Sequence, residues 1–144
     1  FASYSYNRAT YKDDVRNAAG TVLTATAGKT VVDTPEHMAK GEIVYDDGTV
    51  LARAGADYMS ERYFTYLNDQ SVGSRVLVDA SIGYRFGEGA GVLHGFAVEG
   101  SVTNLTDKSY ISTIGSNGYT ASGDNQTLLA GAPRQFFVTL RRGF

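Results

Sequence analysis

The 144-residue chain carries 13 Lys and Arg against 15 Asp and Glu, a net charge of −2 that offers no basic field for nucleic acid. It has no Cys, which removes disulfides, thiolate catalysis and thiolate metal sites. No apolar run approaches the roughly 18 residues that a spanning helix needs, so a membrane location would require a barrel, the other structure that satisfies every backbone group in lipid.

Its 17 Gly, 10 Tyr and 7 Phe, against 2 Pro and no Trp, suit strands and turns with aromatic girdles. The first strand is predicted over 1–11, where Ala2, Tyr4 and Tyr6 oppose Ser3, Ser5 and Asn7. A long polar stretch, 12–33, follows, with Thr21-Val22-Leu23-Thr24 as a short hairpin arm. The second strand covers 35–45 and sets Ala39, Gly41, Ile43 and Tyr45 against Met38, Lys40, Glu42 and Val44. Asp46-Asp47-Gly48 reads as a tight hairpin turn, because Asp-Gly supplies the positive φ such a turn requires.

The third strand, 49–62, places Val50, Ala52, Ala54, Ala56 and Tyr58 on one side and Arg53, Gly55, Asp57 and Met59 on the other. After a longer connection, 63–74, comes the clearest strand, with Val76, Val78, Ala80, Ile82, Tyr84 and Phe86 facing away from Leu77, Asp79, Ser81, Gly83 and Arg85. Residues 87–91 form a short Gly-rich turn, which lies between strands and so fails the context of a phosphate loop. The fifth strand, 93–103, opposes Phe96, Val98, Gly100 and Val102 to Ala97, Glu99, Ser101 and Thr103. A long polar loop over 109–130 leads to a last strand whose two faces are Phe136, Val138, Leu140, Arg142, Phe144 and Gln135, Phe137, Thr139, Arg141, Gly143.

Connections thus run long, short, long, short, long, the pattern of an outer-membrane barrel with short periplasmic turns and long outer loops. The charges Arg53, Asp57, Asp79, Arg85, Glu99 and Arg141 share the less apolar face. A dry sandwich core would bury them at several kcal/mol each unless paired, so they are assigned to a barrel lumen, with the apolar face toward lipid. His37 and His94 fall at opposite ends of this topology and share neither a metal nor a catalytic base. The two Asn-x-Thr matches, at Asn104 and Asn125, are read as chance matches to a short pattern. Tyr63 and Phe64 are read as an interface girdle, and the loop residues Tyr66 and Tyr119 as candidate ligand contacts. Arg142 on the lipid-side register costs only ~0–1 kcal/mol near an interface, which puts that end of the strand at the membrane edge.

Several motifs carry a family resemblance. Asn104-Leu105-Thr106-Asp107-Lys108-Ser109-Tyr110, a Gly-rich loop, Gly131-Ala132-Pro133-Arg134 and a strand closing on Phe144 resemble, in that order, the end of TonB-dependent outer-membrane transporters. Val32-Asp33-Thr34-Pro35-Glu36-His37-Met38 and Asp79-Ala80-Ser81-Ile82-Gly83-Tyr84-Arg85-Phe86 are similar to two further stretches of the family. Thr106 and Arg142 depart from it, each standing where a large apolar or aromatic residue is usual.

The resemblance implies an all-β, antiparallel transmembrane barrel of about 22 strands around an N-terminal plug. Residues 1–144 would be its six C-terminal strands, with the plug and earlier strands outside this sequence. It also implies uptake of a ferric siderophore or similar scarce nutrient across a Gram-negative outer membrane, energised by TonB through the missing N-terminal part. Expected partners are outer-membrane lipid, the rest of the barrel and its plug, TonB, the barrel-assembly machinery and the small ligand. Phe136, Val138, Leu140 and Phe144 would form the terminal signal which that machinery reads. No cofactor, metal or catalytic residue is expected. The rival readings are an outer-membrane barrel enzyme and a secreted β-sandwich or adhesin module.

Overall fold

The structure is a computed structural model that describes residues 1–115, 118–123 and 125–143. In chain order its strands are β1 (Ala2–Tyr6), β2 (Val15–Arg16), β3 (Val22–Thr24), β4 (His37–Asp46), β5 (Val50–Met59), β6 (Arg62–Tyr63), β7 (Ser71–Val72), β8 (Arg75–Arg85), β9 (Phe96–Thr103), β10 (Ile111–Ile114), β11 (Leu128–Ala130) and β12 (Gln135–Arg142). Six of them form one open antiparallel sheet in the order β1-β4-β5-β8-β9-β12, a meander in which each strand lies beside its sequence neighbour. The other six pair as small hairpins, one in each long connection: β2–β3, β6–β7 and β10–β11.

Several strand boundaries differ from the expectation; the third strand, for one, ends at Met59 rather than at 62. The first strand stops at Tyr6, where the chain turns away and the Asn7 amide binds the Glu36 carbonyl at 2.8 Å. The fifth begins at Phe96, because the segment before it coils into a 3-10 turn, Glu88–Leu93, and Gly95 then takes φ 79°. The Asp46–Val50 turn closes as expected. Gly48 takes φ 89°, and the Asp47 carboxylate accepts the amides of Thr49 and Val50 at 2.9 and 2.7 Å.

Directly opposed residues of antiparallel strands point to one face, so the register sorts the side chains. One face carries the cross-strand rows Ile43–Ala54–Ala80–Val102–Phe136, Tyr45–Ala52–Ile82–Gly100–Val138 and Val50–Tyr84–Val98–Leu140. This face is bare: Ile43 is 78% exposed and Val138 81%. Aromatic residues close it at both ends. Tyr4, Tyr6 and Tyr58 lie at the loop end, with the Tyr6 ring tilted against His37 at 5.2 Å between centroids; Tyr45, Tyr84 and Phe86 lie at the short-turn end. The exposed aromatic residues of the sheet are thus at its two ends, whereas Phe64, expected in an interface girdle, is buried.

The buried apolar core lies in the loops. Phe64 (3% exposed), Val72 and Ile114 pack together, with Ile111, Tyr119 and Leu128 against them. Phe64 is therefore a core residue of a loop cap, and Tyr63 is half-buried in the same cap.

Candidate functional site

Two surfaces qualify as candidate sites, the polar face of the sheet and the cap. On the polar face the register aligns Arg53 with Ser81, Asp79 with Gly55, Asp57 with Leu77, Glu99 with Gly83, and Arg85 with Ala97 and Arg141. All six charges predicted to share a face do share it. Lys40 and Glu42 join them, because Lys40 opposes Asp57 and Glu42 opposes Gly55. The signal that places them is the register across the Asp46–Val50 hairpin, which carries the polar face of β5 onto β4. Lys40, Glu42, Arg53, Asp57, Asp79 and Glu99 line a trough of about 420 Å³ with both charge signs in it.

Arg53, Asp57, Asp79 and Arg85 do not bond one another among the described residues. Arg85 instead reaches Asp46 with a two-pronged contact at 2.6 and 2.9 Å, and Arg141 lies 3.8 Å from Glu99. Asp79 accepts the Asn104 amide at 2.9 Å. Charge partners follow register and strand ends, which a list of charged residues does not reveal.

That last contact belongs to a buttress at the base of the third long loop. Asn104, buried and at φ 50°, donates to the carbonyls of Lys108 and Ala132 at 3.0 and 3.1 Å and accepts the Lys108 amide at 2.8 Å. Asp107 accepts the Arg134 amide at 3.0 Å. The Asn104–Tyr110 and Gly131–Arg134 motifs are therefore two halves of one clasp that brings the loop's ends together. Gly131 is required there, since a Cβ would run into the Tyr110 ring, whose face also carries the Arg75 guanidinium at 4.8 Å.

In the cap the structure brings Tyr66 and Tyr119 together from different loops, ring centroids 6.3 Å apart and edge to face. Tyr11 from the first loop stands 5.9 Å from Tyr66 in the same geometry. Tyr11 was not a candidate on sequence, because a single Tyr at the end of an alternating strand pattern carries no sign that it joins a cluster. Arg62 ties the loops electrostatically: buried, it donates to Asp33 at 2.8 Å and to the Ile111 carbonyl at 3.4 Å, while the Asp33 amide donates to the Tyr63 carbonyl at 2.8 Å. Asn68 holds both the amide and the carbonyl of Thr30, at 2.7 and 3.0 Å. The Tyr66 amide donates to the Thr120 carbonyl at 3.0 Å.

The electrostatics follow from these contacts. Burial, and then the Asp33 carboxylate nearby, push the Tyr119 phenol above its ordinary value. The Thr65 hydroxyl, donating at 2.6 Å, is the main reason Asp69 sits below the usual carboxylate range. His37 starts β4 at the cap end, with its Nδ1 2.8 Å from the Tyr4 hydroxyl, and His94 lies in the connection at the other end of the sheet. Phe136, Val138 and Leu140 share the bare face of β12; Phe144, grouped with them on sequence, lies outside the described residues.

The architecture has close counterparts. The chain superposes on the siderophore receptor PiuA from Acinetobacter baumannii with a TM-score of 0.71 at 21% identity, covering 96% of this chain and 18% of that one. It superposes on the ferric citrate transporter FecA with a TM-score of 0.69 at 19% identity, over 96% and 20%. At such identities these likenesses establish the fold, an antiparallel sheet that is an open part of a barrel. In sequence it is 30% identical over 130 residues to the ferrioxamine receptor of Yersinia enterocolitica, a stretch that is 90% of this chain and 17% of that protein. The chain thus spans about a fifth or less of the proteins it matches. Residues 1–105 match the family described as TonB dependent receptor-like, beta-barrel. With most of its length matching that family, and with a sheet bare on its apolar side, the chain belongs to the TonB-dependent receptor β-barrels.

Proposed function

We propose that the chain is the C-terminal part of the barrel wall of an outer-membrane transporter that takes up a ferric siderophore with energy delivered through TonB. The observation that carries this reading is the inverted burial of the sheet, apolar residues bare on one face and a two-signed charged trough on the other. Such a sheet fits lipid outside and a wet, plug-filled lumen inside. The relatives point to the ligand class, since their names specify ferrioxamine, ferric citrate and siderophores. In this reading the trough charges face the plug, Tyr66 and Tyr119, joined by Tyr11, face the incoming ligand from outside the cell, and the bare face of β12 is read during barrel assembly.

The test is uptake of radiolabelled iron as ferrioxamine, ferric citrate or a ferric catecholate by cells that do or do not make the complete protein. At least one complex should enter only with the protein and only while TonB is present. Uptake that continues undiminished without TonB, or no difference for any ferric complex, overturns the reading.

A further inference from the structure

Two arginines flank the bare apolar residues of β12, one at each end, and each lies over an aromatic ring. Arg142 opposes Phe96 and its guanidinium lies 5.1 Å from that ring's centroid. Arg134, just before the strand, lies 5.8 Å from the ring of Phe136. Between them Phe136, Val138 and Leu140 are bare. Among the described residues neither arginine is ion-paired, although both are exposed. A guanidinium set over a ring keeps most of its planar fork of N–H donors free at the rim, Arg134 committing one of its own to the Leu105 carbonyl at 3.4 Å, a geometry suited to a phosphate.

The spacing selects the phosphate's source. β12 has 8 residues, roughly 26 Å at ~3.3 Å per residue and about 20 Å along the normal at the usual tilt, to which the outward reach of two long side chains is added. The apolar band of an outer-membrane barrel is ~25 Å tall. An arginine at mid-band would be costly, whereas one at either edge meets headgroups. We infer that Arg134 and Arg142 are a matched pair of clamps for lipid headgroup phosphate, one in each leaflet, and that this strand is seated in the bilayer from phosphate to phosphate. Arg142, which departs from the family's aromatic pattern, thereby replaces an aromatic anchor with a ring-supported cation. The inference rests on the reading that the bare face meets lipid.

The test folds the complete receptor into vesicles of phosphatidylglycerol and, separately, of digalactosyldiacylglycerol with the same acyl chains, and compares urea unfolding in the two. Arg142→Gln and Arg134→Gln should each shrink the advantage of the phosphate lipid by roughly fivefold in the folded-to-unfolded ratio. Arg142→Phe should insert normally and shrink it equally, while Arg16→Gln, in a loop, should leave it unchanged. Inorganic phosphate added to the galactolipid vesicles should not restore the advantage. If the variants insert, run as heat-modifiable barrels and keep the full advantage, the clamps are wrong and the barrel reading stands. If the unsubstituted receptor inserts into neither lipid, both fall together.

Discussion

In the sheet the large apolar side chains are on the outside, and in the loop cap they are on the inside. Val138 is 81% exposed and Phe64 3%, in one chain of ordinary composition. The sheet satisfies its backbone groups strand to strand and needs no core beneath it, so its apolar face is available to a solvent other than water. The cap has only short hairpins and is held as a soluble domain is held, by a small core with ion pairs and amide clasps around it. The two regions are stabilised by different solvents, and substitutions should separate them.

The largest effect should come from the cap core. Phe64→Ala removes a buried ring and should cost about 3–5 kcal/mol of local stability. Faster amide hydrogen exchange throughout 62–72, 111–115, 118–123 and 125–128 would record it, with the heat-modifiable shift of the complete barrel unchanged. Loss of that shift would mean that cap and wall fold as one unit. The converse is Val138→Arg, a charge at mid-strand on the bare face, which should cost ~2–4 kcal/mol in vesicle folding and leave cap exchange untouched. A harmless Val138→Arg would mean that the face does not meet lipid.

The wall was largely legible in the sequence because its information is local. Alternation of Val76 through Phe86, or of Gln135 through Arg142, is visible within one strand, and Asp47-Gly48 announces its own turn. The cap was not legible, because Phe64, Val72 and Ile114 are scattered through three stretches of loop with no common period. What buries them is contact between segments some fifty residues apart. The same holds for Arg85, whose partner Asp46 emerges only once β4, β5 and β8 are in register. The first strand was overextended for a related reason: the alternation runs on past Tyr6, and the bond from Asn7 to Glu36 that ends it is nonlocal.

A smaller effect, confined to the cap, concerns the tie between loops. Asp33→Asn leaves the buried Arg62 without its carboxylate and should cost about 1–3 kcal/mol, since Asp33 itself is partly solvated. The same change removes one of the two main causes that raise Tyr119, so its titration, followed by phenolate absorbance, should move down toward the ordinary 10.0 while burial keeps it above that value. The cap holds the neutral phenol. That contribution is complete below the unfolded value and fades as pH rises through the raised folded one. A Tyr119 titration unmoved by Asp33→Asn would mean that the carboxylate does not act on the ring.

The smallest effect belongs to the wall's short-turn end, where Asp47 lies outside the strands. The Val50 amide first, then the Thr49 amide and the Tyr45 hydroxyl, hold its carboxyl below the ordinary 3.8. A depressed folded value contributes stability that is present above the unfolded value and is lost as pH falls through the folded one, so the window lies below pH 3.8. Asp47→Asn keeps an acceptor oxygen for the amides but removes the titration. The variant should therefore show a flatter dependence of the unfolding midpoint on pH in that window and the same amide exchange in the cap. Because the turn is exposed and solvent screens it, the difference should be small beside that of Val138→Arg. Equal pH slopes for the two proteins would show that the Asp47 carboxylate contributes nothing to closing the hairpin beyond what its amide would.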